Sequence, residues 1–68
     1  MKRWNTKHNK NLKNEEIDDF LEDIVEVCKR HKLTISHEDA HGAFKIESFN
    51  KYNIAWIKNA FDSTEDSE

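Results

Sequence analysis

The residue types best suited to chemistry are concentrated in one short segment, His37–Gly42, which reads HEDAHG. Its two imidazoles and two carboxylates are groups that bind Zn²⁺ and other transition metals. With Cys28 and His31 upstream, the spacing becomes C-x2-H-x5-H-x3-H, which matches no familiar zinc pattern. Asp and Gly also shape tight turns, so we expect a polar turn and no bound metal or other cofactor. The candidate residues for the alternative, a metal- or ligand-binding site, are His37, Glu38, Asp39 and His41.

The same imidazoles could act as general bases that neighbouring carboxylates orient. Catalysis, however, needs a water-excluding pocket, and a chain of 68 residues is too short to build a deep one alone. The sequence also contains no glycine-rich phosphate loop and no nucleophile elbow. We therefore predict that the protein is not an enzyme.

A second feature is a dense acidic arc, because residues 15–28 carry seven acids and no base. On a helix these acids fill one arc and the apolar residues fill the opposite arc. Like charges at i,i+4 spacing repel, which favours a role in binding a partner protein by electrostatic attraction. The alternative is a solvated face that keeps a small domain soluble. The acids that we assign to a protein-binding surface are Asp19, Glu22 and Glu26.

Two aromatic residues, Tyr52 and Trp56, extend the apolar arc of a second predicted helix sideways. Tyr and Trp are enriched at the energetic centres of protein interfaces. We assign both to the protein-binding surface, with the alternative that Trp56 closes the core of the monomer.

The first 13 residues carry five bases and no acid, together with Trp4. Basic and aromatic residues can grip nucleic acid through phosphate contacts and stacking, so a nucleic-acid-associated accessory protein is a further alternative. We consider nucleic acid an unlikely partner because the net charge of the chain is −3. The low apolar content predicts a flexible basic arm over residues 1–13.

The regular elements predict a single α+β domain over residues 14–61, followed by an acidic tail over residues 62–68. Asn14 is a good N-cap for a helix over 14–31, and period-two patterns predict strands over 33–37 and 43–48. A second helix over 50–61 completes an α-β-β-α order in which both helices pack on one face of a β-hairpin. If Ser36 lies opposite Ala43, Ile35 faces Phe44 and Leu33 faces Ile46, all on the core side. The predicted core is Ile17, Phe20, Leu21, Ile24, Val25, Cys28, Leu33, Ile35, Phe44, Ile46, Ile54, Ile57 and Phe61.

Size and composition bound the location and assembly of the protein. Cys28 is the only cysteine, so no internal disulfide can form. No apolar run approaches the roughly 20 residues that span a bilayer, so we expect a cytoplasmic protein with no membrane contact. An isolated hairpin has open edges and is marginal in water, which predicts a homodimer whose paired hairpins form a four-stranded sheet.

The stretch from Leu33 to Phe44, with ISHEDAHGAF, and the following NIAWI at 53–57 resemble small uncharacterised proteins encoded by phages and prophages of Gram-positive bacteria. The resemblance implies a small accessory protein that acts on a host factor. Together with the acidic arc and the Trp/Tyr edge, it leads us to expect a non-enzymatic protein-interaction module, a phage-type modulator or inhibitor of a host protein whose identity the sequence does not reveal.

Overall fold

The chain folds as a small α+β domain, as predicted, but with one more β-hairpin than the sequence indicates. The computed structural model describes residues 1–66. In chain order the elements are β1 (Lys2–Asn5), β2 (Lys10–Lys13), α1 (Glu15–His31), β3 (Leu33–His37), β4 (Phe44–Ser48) and α2 (Lys51–Lys58). The predicted α-β-β-α order is present, and the antiparallel β1–β2 hairpin precedes it.

Helix α1 has the ends that its sequence predicts. The side chain of Asn14 accepts hydrogen bonds from the N–H groups of Glu16 (3.1 Å) and Ile17 (3.3 Å), which satisfies donors that the first turn leaves open. At the other end Lys32 adopts a left-handed conformation, and its N–H donates to the carbonyl of Cys28. Within residues 1–66, neither helix has the length and apolar composition needed to cross a membrane.

The β3–β4 hairpin has a register two residues away from the predicted one, with Ile35 opposite Ile46. Its turn is therefore longer, and Gly42 supplies the positive φ of 71° that the turn needs. A shift of two residues keeps each side chain on its predicted face, because side chains alternate with period two. Leu33, Ile35, Phe44 and Ile46 thus share one face, as expected.

That apolar face is nevertheless largely open, which corrects the prediction that both helices cover it. Phe44 is 67% exposed and Ile46 is 55% exposed, whereas the polar position Thr34 is only 1% exposed. The side chain of Asn53 on α2 donates to Thr34 Oγ1 (3.0 Å) and to Glu47 Oε1 (3.3 Å). These bonds help hold α2 beside β3, and α2 leaves Phe44 and Ile46 of β4 uncovered.

The core is correspondingly smaller than predicted. Its buried members are Leu21, Val25, Cys28 and Ile57. Several other predicted core residues, Ile17, Ile24, Ile35 and Ile54, are partly buried against this cluster. The remaining ones are wrong as core assignments because their side chains lie on the surface: Phe20, Leu33, Phe44, Ile46 and Phe61.

The basic segment 1–13 forms the β1–β2 hairpin, which corrects the expectation of a flexible arm. Arg3 and Asn5 are buried at 4% and 2% exposure. Arg3 Nη1 donates to the carbonyls of Lys58 (3.1 Å) and Ala60 (2.9 Å), and Arg3 Nη2 donates to Asp18 Oδ1 (2.6 Å). Polar bonds to α1 and to the end of α2 therefore order a segment that lacks an apolar core of its own.

The acidic tail is also part of the fold as far as residue 66. Asp62 is 5% exposed, and it forms a parallel β-bridge with Asn5. Its N–H donates to the carbonyl of Trp4 (2.7 Å), and the N–H of Thr6 donates to the carbonyl of Asp62 (2.9 Å). Ordered structure therefore extends beyond the predicted domain boundaries, before residue 14 and after residue 61. Residues 67 and 68 of the predicted tail lie outside the described residues.

The carboxylates of Asp18 and Asp62, which bind the β1–β2 hairpin to the rest of the domain, should make the protein less stable in acid. Hydrogen bonds from the hydroxyl and the N–H of Thr64 lower the pKa of Asp62, and the guanidinium of Arg3 lowers the pKa of Asp18. When the folded-state pKa is lowered, the unfolded chain takes up protons first as the pH falls, so stability is present above the ordinary value of 3.8 and is lost below it. We expect the melting temperature to fall steadily between about pH 5 and about pH 2.

Thermal unfolding followed by circular dichroism over that pH range measures this effect. The dependence on pH should be shallower for Asp62→Asn than for the wild type, because that carboxyl no longer titrates. The matched control is Asp19→Asn, at an exposed site on α1. An identical pH dependence of the melting temperature in Asp62→Asn and the wild type would contradict the assignment.

Candidate protein-binding surface

An open apolar groove lies between α1, β3 and α2. It has a volume of about 610 Å³, and its walls include Ile24 of α1, Ile35 of β3, and Trp56 and Ala60 at the α2 end. Trp56 is 48% exposed, and Phe61, just after α2, is 67% exposed. Monomers rarely leave several large apolar side chains open in one patch unless the patch binds something. The groove is therefore the main candidate for a functional surface.

A smaller hollow of about 260 Å³ adjoins this groove on the hairpin side. Val27 of α1 and Leu33 and Ile46 of the hairpin contribute to its walls, and Ile35 lines both depressions. The two hollows together form one apolar surface across α1, the β3–β4 hairpin and α2. Phe20 lies one helical turn before Ile24, and Phe44 lies on the same face of the hairpin as Ile46. Both are exposed, although the sequence pattern assigns them to the core.

The structure separates the two aromatic residues that the sequence assigns to binding. Trp56 lines the groove, and its ring centroid lies 6.5 Å from that of His37 at an interplanar angle of 53°. Tyr52 is 88% exposed and does not line the groove. Trp56 is therefore part of the groove wall, whereas Tyr52 is exposed to solvent on another part of α2.

The acidic residues chosen from the sequence lie on a different side of α1 from the groove. Asp19, Glu22 and Glu26 are all exposed. Glu22 and Glu26 line a separate cleft beside Arg3, and Glu26 forms a salt bridge of 3.7 Å with Lys29. The fold thus does not bring these acids together with Trp56.

One acid that the sequence reasoning passed over lies closer to the apolar surface. Asp23 is exposed and follows Phe20 by three residues and precedes Val27 by four. Residues at these spacings are neighbours on a helix, so Asp23 borders the apolar surface. Helical spacing alone would have found it, if Phe20 and Val27 had been recognised as surface residues.

The His37–Gly42 segment forms the hairpin tip, and its four ionisable side chains form two separate pairs. His37 Nδ1 lies 2.5 Å from Asp39 Oδ1, and His41 Nδ1 lies 3.3 Å from Glu38 Oε2. Within residues 1–66, no three His, Cys, Asp or Glu side chains come together in a way that could hold a metal ion. The candidate ligands are thus close in sequence but do not converge on a common point.

The carboxylate of Glu38 stabilises the backbone of the hairpin tip. It accepts hydrogen bonds from the N–H groups of Ala40 (2.7 Å) and His41 (2.6 Å). These two backbone bonds are the main cause that lowers the pKa of Glu38. The carboxylate therefore shapes the turn, which agrees with the polar-turn interpretation of the segment.

The basic residues of the β1–β2 hairpin are partly committed to the fold. Arg3 is buried, and Lys13 Nζ lies 3.3 Å from Glu15 Oε1. The remaining lysines of this hairpin, Lys2, Lys7 and Lys10, are exposed. A phosphate-binding surface built from them would be small, because the only arginine of the segment is engaged elsewhere.

This surface can bury apolar groups. Trp56 and Phe61 lie before and after the C-terminal end of α2, and the carboxylate of Asp23 lies at the border. The surface presents no convergent set of polar groups of the kind that orients a small-molecule substrate. No protein-family model matches this chain, and searches of curated proteins and of solved structures likewise found no match.

Proposed function

We propose that the chain is a non-enzymatic protein-binding domain whose contact surface is the apolar groove containing Trp56 and Phe61. The observation that carries this proposal is the exposure of both aromatic side chains at the rim of a 610 Å³ groove. Burying such side chains in a partner contributes most of the binding energy in typical interfaces.

The proposed partner segment is an apolar or amphipathic stretch of a protein with basic residues beside it. The groove floor supplies partly buried aliphatic side chains, including Ile24 of α1 and Ala60 just after α2. Asp23 at the border supplies negative charge, and the net charge of the chain is −3. Opposite charges speed association and orient a partner, while the apolar contacts hold it.

Variants of the exposed aromatic residues test the proposal. We expect Phe61→Ala to weaken partner binding by about 2 kcal/mol, or about 30-fold in Kd, because a hot-spot side chain is removed. The melting temperature should change little, since Phe61 is 67% exposed. Tyr52→Ala is the matched control, because Tyr52 is an exposed aromatic residue outside the groove.

The measurement compares proteins captured from a lysate by immobilised wild type, Phe61→Ala, Trp56→Ala and Tyr52→Ala, followed by titration of any captured protein. Capture by the wild type and Tyr52→Ala, with loss in both groove variants, supports the proposal. Capture that survives both groove substitutions would place the binding surface elsewhere.

A further inference from the structure

Strand β4 is an open sheet edge. It is the outer strand of a two-stranded sheet, and all five of its residues, Phe44–Ser48, are exposed. Both helices approach β3, but neither approaches the backbone of β4. Natural proteins usually protect such edges with proline, a bulge or a covering element. The chain contains no proline, and β4 pairs with β3 without an interruption.

The hairpin ladder shows which backbone groups of β4 face outward. Glu38 N–H donates to the carbonyl of Ala43, and Phe49 N–H donates to the carbonyl of Lys32. Along an antiparallel ladder, hydrogen-bonded residue pairs alternate with pairs that share no hydrogen bond. The observed register therefore shows which residues of β4 between these two bonds face β3 and which face outward. The N–H and carbonyl groups of Phe44 and Ile46 and the N–H of Ser48 point away from β3. The carbonyl of Ser48 already accepts hydrogen bonds from Thr34 Oγ1 (2.9 Å) and Asn50 Nδ2 (3.2 Å).

These outward groups match a second copy of the same strand. In an antiparallel pairing with a two-fold axis at Ile46, Phe44 lies opposite Ser48 of the second copy, and Ile46 lies opposite itself. Each Ile46 then exchanges both of its outward hydrogen bonds with Ile46 of the second copy, and each Ser48 N–H meets the carbonyl of Phe44 of the second copy. On the other face of the strand, Lys45 lies opposite Glu47 of the second copy.

Charge favours this register over its neighbours. Shifting the pairing by two residues in either direction keeps outward groups paired, but it places Lys45 opposite Lys45 or Glu47 opposite Glu47. Like charges directly opposite each other destabilise a strand pair, whereas opposite charges stabilise it. Lys45 makes no salt bridge within residues 1–66. The hydrogen bonds that Glu47 accepts from Ser36 and Asn53 both use Oε1, which leaves Oε2 for that lysine.

We propose that the chain forms a two-fold symmetric dimer in which β4 pairs with β4 of a second copy about Ile46, producing a continuous four-stranded sheet. The pairing gathers Phe44 and Ile46 of both copies at the centre of one apolar face, where they are 67% and 55% exposed in the single chain. Lys45–Glu47 pairs form on the opposite face. No residue of β4 lines the groove that contains Trp56 and Phe61, so this inference does not rest on the proposed function.

Sedimentation equilibrium of the full chain over about 1 µM to about 1 mM tests the dimer. We expect the mass to rise from the monomer value of 8.1 kDa to twice that value. Lys45→Glu should weaken dimerisation about tenfold or more, because both cross-strand pairs become repulsive. Adding Glu47→Lys in the same chain should restore part of the loss, because the pairs become opposite in charge again.

A backbone variant keeps the test decisive if the charge variants fold poorly. Ile46→Pro removes an N–H that points away from β3, so it should abolish the dimer while circular dichroism shows a folded chain. Slower hydrogen exchange of the Ile46 amide at high protein concentration would support the same register. A monomer mass across the whole concentration range, or a dimer that Ile46→Pro leaves unchanged, would overturn the proposal.

Discussion

Replacing Arg3 with alanine is expected to lower the free energy of unfolding by about 3 kcal/mol, a large share of the stability of so small a domain. The side chain is almost wholly buried and donates to two carbonyls at the end of α2 and to Asp18 on α1. Its removal leaves those carbonyls without the donor that they have in the fold. It also removes the side-chain bonds by which β1 reaches Asp18 of α1 and the two carbonyls at the end of α2.

The expected loss of stability is large because the hydrogen bonds of Arg3 are donated by a charged guanidinium group. Hydrogen bonds with an ionised partner contribute roughly 1.5–3 kcal/mol each, and burying the cation offsets part of the sum. Arg3 Nε has no hydrogen-bond partner among residues 1–66 and adds to that offset. Arg3→Lys should recover only part of the stability, because an ammonium group cannot reproduce the planar fork that reaches both α2 carbonyls and Asp18.

Chemical denaturation with urea measures these differences, and Lys2→Ala is the control because Lys2 is its exposed basic neighbour on β1. We expect Lys2→Ala to change the unfolding free energy by less than about 0.5 kcal/mol. If Arg3→Ala unfolded with the same midpoint as Lys2→Ala, segment 1–13 would be independent of the domain, as the sequence pattern first suggested.

Sequence patterns identify the elements whose inward positions are apolar and miss the strand whose inward positions are polar. Helix α1 is visible because its acids and apolar residues occupy opposite arcs and because Asn14 is a good N-cap. Strands β3 and β4 are visible because apolar residues alternate along them. In β1 the buried positions are Arg3 and Asn5. A strand whose inward positions are polar has no hydrophobic alternation, so it resembles a solvated segment.

Burial was harder to predict than secondary structure, because it depends on where the helices lie. The alternation correctly placed Phe44 and Ile46 on one face of the hairpin. Whether that face is covered depends on the position of α2, which the hydrogen bonds of Asn53 with Thr34 and Glu47 help hold beside β3. Composition does not predict such a network, because each of its members resembles an ordinary surface residue.

The candidate surface is predicted only in part from the sequence, because it too depends on where the helices lie. Trp56 was identified because a wide apolar arc on a small helix exceeds what a hairpin can cover. Phe61 was assigned to the core, and the chosen acids lie across α1 from the groove. The hairpin tip gave the clearest chemical motif, yet its ionisable side chains form two separate pairs. Side chains that are close in the chain become a site only when the fold directs them to a common point.

Two valines of α1 provide a direct test of which apolar residues stabilise the monomer. Val25 is 3% exposed within the core cluster, whereas Val27 is 45% exposed beside the hairpin hollow. We expect Val25→Ala to lower the free energy of unfolding by about 2 kcal/mol, because it removes buried methyl groups and leaves a cavity. Val27→Ala should change it by less than about 0.5 kcal/mol.

The comparison isolates burial because the two substitutions share their chemistry and their helix. Alanine has the higher helix propensity at both positions, so that gain cancels in the difference. Urea unfolding at low micromolar concentration keeps self-association from contributing to either value. Equal destabilisation by the two substitutions would mean that the Val27 side of α1 is covered in the free chain. In that case the apolar surface would not be open to a partner.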